Sequence, residues 1–170
     1  MTMRFAKSTF PMANPIRHQL YFQRMDTEHI SNPAWLQWLD HTADELMAVE
    51  APDLPTLFSR AAWGMFSLLT DLDQVRPLEA VTVSVEADDT PALMVRWLSE
   101  LNFLHTCRLM VFSEFTVLEA SAQRVVAEVR GEPIARARHP IHTEIKAVTF
   151  HGLRVKKQDG AWKAHVLFDM

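Results

Sequence analysis

The sequence predicts an α+β fold: a two-layer sandwich in which two amphipathic helices cover a mostly antiparallel sheet. Three observations carry this. Two segments, about Leu54 to Leu69 and Thr90 to Leu104, repeat apolar residues at helical spacing. Several other segments alternate apolar and polar residues, as half-buried strands do. The order is strand, helix, strand, helix, then a run of strands, which suits two helices gathered on one face of a sheet. A length of 170 residues fits one domain with room for a core.

Residues 1–33 stand apart from residues 34–170. No acid precedes Asp26, while Arg4, Lys7, Arg17 and Arg24 do, and the apolar residues keep no steady period. This reads as an N-terminal extension, loose or draped over the domain. An acid-free basic start is shared with transit peptides, but here the apolar residues do not line one helical face.

Ala34 to Val49 reads as strand, turn, strand. Asp53 caps the first helix, and Pro55 sits in its first turn, where a missing N–H does no harm. Leu54, Phe58, Ala61, Ala62, Met65 and Leu69 form its apolar stripe. Asp71 and Asp73, past its end, read as solvated loop carboxylates. From Glu79 to Ala87, Val81, Val83 and Val85 alternate with Thr82, Ser84 and Glu86. Thr90 is the expected cap of the second helix, with Pro91 at its first position. Leu93, Trp97, Leu101 and Leu104 face its core. Strands follow at Leu109 to Ala120 and Arg124 to Gly131, then a loop from Pro133 to Pro140 with Arg136, Arg138 and His139. Two short strands come next, Glu144 to Phe150 and Leu153 to Lys157. Asp159-Gly160 is a favoured hairpin turn. The last strand sets Trp162, Ala164, Val166 and Phe168 on one face, with Lys163, His165, Leu167 and Asp169 on the other.

Composition excludes several functions. A net charge of −4 lacks the basic excess of a direct nucleic-acid binder, so any link to RNA or DNA runs through another protein. The single cysteine, Cys107, forms no internal disulfide, which fits a reducing cytoplasm; it follows an apolar helical run and is expected to be a partly buried, inert thiol. No apolar run is long enough to span a membrane. With only four glycines, a Gly-rich phosphate cradle is not expected. Ser113, His151 and Asp44 make a triad only on paper, for nothing around Ser113 resembles a nucleophile elbow. A protein that is not itself an enzyme is expected.

The chemistry concentrates in Asp40-His41-Thr42-Ala43-Asp44 and in the last two residues, Asp169-Met170. If the fold brings them together, hard oxygen donors converge, a set that suits Ca²⁺ or Mg²⁺ and not structural zinc. The same spacing also suits side chains that merely cap a turn. His41 and His151 read as structural hydrogen-bonding histidines in preference to ligands. Lys146, between Ile145 and Ala147 in an apolar strand, is expected on the outer face.

These pieces occur together in a known order. Asp40-His41-Thr42-Ala43-Asp44, Phe112-Ser113-Glu114-Phe115, Gly131-Glu132-Pro133, Arg138-His139, the run from Glu144 to Leu153, Asp159-Gly160-Ala161-Trp162 and the terminal Leu167-Phe168-Asp169-Met170 follow one another from about Leu39 to Met170. In this the sequence resembles the archease family. The resemblance implies a protein cofactor of an RtcB-type RNA ligase, promoting ligase guanylylation and multiple turnover in tRNA splicing or RNA repair. A role as chaperone-like modulator of a tRNA-modifying enzyme, such as a tRNA methyltransferase, is the alternative. The resemblance also implies a divalent ion, taken to be calcium in the family, held by Asp44, Asp169 and Met170, and a functional lysine at Lys146. Asp40, His41 and Glu45 are additional candidates around that ion. Glu45-Leu46-Met47 departs from the family, which continues its first motif with alternating apolar residues.

Overall fold

The computed structural model describes residues 32–40 and 44–170. Most of the expected extension, and His41, Thr42 and Ala43 of the acidic motif, lie outside the described residues, as does the side chain of Asp40. The chain runs β1 (Leu36–Asp40), β2 (Asp44–Ala51), α1 (Leu54–Leu69), a short 3-10 turn (Leu72–Gln74), β3 (Glu79–Glu86), α2 (Thr90–Arg108), β4 (Met110–Ala120), β5 (Arg124–Pro133), β6 (Ala147–Gln158) and β7 (Ala161–Asp169).

The α+β class holds, but the strands form two antiparallel sheets instead of one. β1, β2, β7 and β6 make a four-stranded sheet in that order; β3, β5 and β4 make a three-stranded one. The middle of the chain pairs with itself, while β7 returns from the far end to lie against β2. Apolar alternation marks which residues face inward; it does not say which ladder a strand joins. Each helix touches strands of both sheets: α1 packs on β2, β7 and β4, and α2 on β6, β3, β4 and β5.

Both helices start from the same device. Asp53 and Asp89 adopt extended backbone and accept a hydrogen bond from the N–H three residues on, Thr56 and Ala92, each at 2.8 Å, with proline in the first turn. The second cap is therefore Asp89, not Thr90. A carboxylate one residue earlier reaches the orphan N–H of the first turn, and the Thr90 hydroxyl donates instead to Ala122 O at 3.3 Å.

The core is built where the helices meet. Phe58, Phe66, Trp97, Phe112 and Phe168 are fully buried, each stabilising by roughly 1.5–3 kcal/mol relative to exposure. Trp97 Nε1 donates to Phe58 O at 3.0 Å, so the indole is buried without an orphaned N–H. Phe66 meets Phe112 edge to face with centroids 5.5 Å apart. One close approach requires glycine: a Cβ on Gly131 would lie 1.9 Å from Val111 O, opposite the register shift between Phe112 and Glu114.

Two further expectations change. The stretch read as two strands is the single β6, beginning at Ala147, with its pairing to β7 interrupted between Thr149 and Arg154. Gly152, at φ 64°, sits in that interruption. Lys146 thus lies just before the strand. Cys107 is exposed, because the last turn of α2 buries Leu104 and His105 and turns Thr106, Cys107 and Arg108 outward. The Asp159-Gly160 turn has positive φ at both residues, 53° and 82°, as a two-residue primed hairpin turn requires.

Candidate functional site

The antiparallel pairing of β2 with β7 sets Asp44 directly across from Asp169, and β6 sets Ala147 across from Asp169 on the other side. Residues directly opposite in a ladder carry their side chains on the same face, with Cβ atoms about 4.5–5.5 Å apart. Alternation along β2 buries Glu45, Met47, Val49 and Ala51, so Asp44 and Asp169 share the other face. Two carboxylates so placed repel one another, and both are at least partly open to solvent.

Lys146 closes this corner. Its N–H donates to Asp169 O at 2.9 Å, and its exposed ammonium donates to the main-chain oxygen of Met170. The Met170 side chain packs against the core. Residues far apart in sequence, Asp44, Lys146, Asp169 and Met170, are thereby brought together by three neighbouring strands. Strand residues, not loop residues, carry the carboxylates.

The donor set fits a hard divalent cation: two carboxylates, with a main-chain oxygen beside them. Among the described residues no three His, Cys, Asp or Glu side chains gather at any metal-sized site, and the Met170 oxygen accepts from Lys146. Glu45 lies across from Phe168 and, in β1, from Asp40. It is buried and on the opposite face from Asp44, which separates it from the two carboxylates. Ser113 Oγ donates to Val75 O at 3.1 Å, so its hydroxyl ties β4 to the segment before β3. His151 is exposed in the β6 interruption.

A second polar centre is one that sequence reasoning misses. Glu132, at the end of β5, is 2% exposed. Its Oε2 accepts from Arg76 Nη2 at 2.9 Å and from Arg138 Nη2 at 2.5 Å; its Oε1 accepts from the Arg76 main-chain N–H at 2.9 Å. Hydrogen bonding by the Arg76 side chain holds the carboxyl at a pKa of about 2, against the opposing effect of burial; the Arg76 main-chain N–H and the charges of Arg138 and Arg76 add to it. His139, 1% exposed, takes the Ala135 N–H on Nδ1 at 3.0 Å and sets Nε2 3.2 Å from Glu132 Oε1. Arg138 Nε also reaches His139 Nε2, at 3.3 Å, so the ring sits between the loop guanidinium and the carboxylate. The signal in the sequence is the basic pair in the Pro133 to Pro140 loop, but nothing local joins it to Arg76.

Elsewhere, Asp71, expected to be a solvated loop acid, receives a contact from His142 Nε2 at 2.8 Å. Among the described residues no helix is long and apolar enough to cross a membrane.

Comparison with known proteins gives a consistent result. The model of the archease protein family (MTH1598/TM1083) matches residues 37–170. A protein archease of Methanopyrus kandleri is 41% identical over 135 residues, covering 78% of this chain and 96% of its own. One from Methanosarcina mazei is 34% identical over 138 residues, covering 79% and 94%. The solution structure of protein 1598 of Methanobacterium thermoautotrophicum superposes with a TM-score of 0.70 at 32% identity, covering 80% of this chain and 99% of its own. A crystal structure from Thermotoga maritima, described as an archease, possible chaperone, shares the fold with a TM-score of 0.55 at 16% identity, covering 84% and 99%.

Proposed function

Because the chain belongs to the archease family, we propose that it is a non-catalytic activator of an RtcB-type RNA ligase in the cytoplasm, promoting ligase guanylylation and multiple turnover in tRNA splicing or RNA repair. The observation that carries this reading is the corner where Asp44 faces Asp169 while Lys146 holds the end of β7. It combines the residues that the family resemblance implies on one exposed sheet end.

Asp44, Asp169 and the main-chain oxygen of Met170 would hold a divalent ion, Ca²⁺ or Mg²⁺, whose bound charge relieves the repulsion between the carboxylates. Lys146 presents a cation on a flexible stem beside them, suited to an acidic or phosphate-bearing group on the ligase. The two Asp side chains and Lys146 thus act as a recognition surface, and the chemistry stays on the partner.

The test mixes the protein at sub-stoichiometric amounts with an RtcB-type ligase, GTP and a divalent ion, and follows ligase guanylylation. A faster rate sustained over several turnovers is expected. An unchanged rate sinks the reading.

A further inference from the structure

We propose that Asn102 is the positioning residue for Lys146: it fixes the peptide plane from which Lys146 reaches the chain end. The importance of Lys146 rests on the ligase reading above; the positioning itself does not. Residues 134–146 cross from β5 to β6 without helix or strand apart from one isolated bridge. The crossing is pinned at the end of α1, where Thr70 bridges Ile141, Thr70 Oγ1 donates to Pro140 O at 2.9 Å and His142 N–H donates to Leu69 O at 2.9 Å. The next pin is Asn102 of α2, whose Nδ2 donates to Ile145 O at 2.8 Å.

Ile145 C=O and Lys146 N–H belong to one planar peptide group. Asn102 holds its oxygen, and Asp169 O accepts from its N–H at 2.9 Å. A plane held at both ends fixes where the Lys146 Cα, the root of its side chain, is placed. The buried Ile145 side chain, 1% exposed, anchors the same residue. A second observation points the same way. Asn102 is 8% exposed, and its Oδ1 is buried without a hydrogen-bond partner among the described residues. A buried unsatisfied acceptor is costly, and an apolar side chain would avoid that cost. What the amide supplies in return is the one donation to Ile145.

The decisive variant is Asn102→Leu in the full chain, with hydrogen exchange read residue by residue. The expected result is unchanged protection along α2 and exchange at the Lys146 amide at least about ten times faster, since ordering one backbone residue is worth about a factor of ten. In the ligase assay the concentration of this protein giving half-maximal guanylylation should rise about tenfold, with the maximal rate unchanged. Unchanged protection at Lys146 overturns the proposal, whatever the ligase does. A wild-type protein that fails to stimulate the ligase removes the ligase reading alone, and Lys146 exchange still decides the role of Asn102. If α2 itself loses protection in Asn102→Leu, Asn102→Ser, which shortens the side chain out of reach of Ile145, is read by the same Lys146 criterion.

Discussion

Glu132 and Asp169 lie at the ends of strands, next to last in β5 and last in β7, yet their surroundings are opposites. Glu132 is buried and answered on every side: two guanidiniums, a main-chain N–H and an imidazole converge on it. Asp169 is exposed and faces another carboxylate across the ladder. The first arrangement is complete within the chain and ties the loop after β5 to the segment before β3. The second sets like charges against each other, and under the reading proposed above a divalent ion would lower its energy. Charge satisfied internally serves the fold; charge left opposed at a strand end is what the proposed ion or partner would answer.

The comparison can be broken most severely next to Glu132. Gly131→Ala forces a Cβ into Val111 O, and with backbone on both sides neither can give way easily. A loss of about 3 kcal/mol or more is expected, read by denaturant unfolding, and it should come with no gain in divalent-ion binding. A loss below about 1 kcal/mol would show that the bulge in β4 relaxes.

Glu132→Gln should come next. It removes the charge that both arginines answer, so the melting temperature should fall clearly at pH 7. The sign with pH follows from the depressed pKa. The carboxylate titrates near 4.5 when unperturbed and at about 2 in the fold, so its stabilisation is fully present above about pH 4.5 and disappears as pH falls toward 2. Wild type should lose stability over that window more steeply than the variant; equal slopes would show that the cluster is not what acid disrupts.

At the open corner the signs reverse. Asp44→Asn should leave stability equal or slightly higher without divalent ions, because one of two opposed charges is gone. Wild type should gain about 2.7 kcal/mol when Ca²⁺ is present at one hundred times its dissociation constant, and the variant should gain little. Thermal melts with and without Ca²⁺ decide this, and an equal gain in both would remove Asp44 from the site. The smallest effect on the fold should come from Lys146→Ala. Its ammonium is exposed, and a shift within about ±0.5 kcal/mol is expected, together with a marked loss of ligase stimulation. A large drop in melting temperature would instead make Lys146 a structural latch of the chain end.

How far the sequence discloses each region depends on how local its causes are. The bounds of α1 are readable because Asp53, Pro55 and the apolar stripe all lie within one short segment. The β7 faces are readable because alternation is a property of the strand itself. The division into two sheets is not, since nothing in β2 indicates that it pairs with β7 and not with β3. Asp44, Lys146, Asp169 and Met170 stand out through motif order and resemblance, not through any spacing that implies their meeting. The Glu132 cluster stays hidden because its halves are far apart: Arg76 and Glu132 are separated by 56 positions. A glutamate at a strand end ordinarily reads as solvated.

The interruption in β6 has a consequence for how copies of this protein meet one another. β6 forms one margin of the four-stranded sheet, and a long regular margin offers unpaired N–H and C=O groups to any passing strand. Here the pairing register breaks between Thr149 and Arg154, Gly152 turns the backbone to positive φ, and Arg154, Lys156 and Lys157 load the remainder with positive charge. A second molecule finds no straight run against which to add a strand. The kink that sequence patterning reads as two short strands thereby guards the sheet against edge-to-edge aggregation.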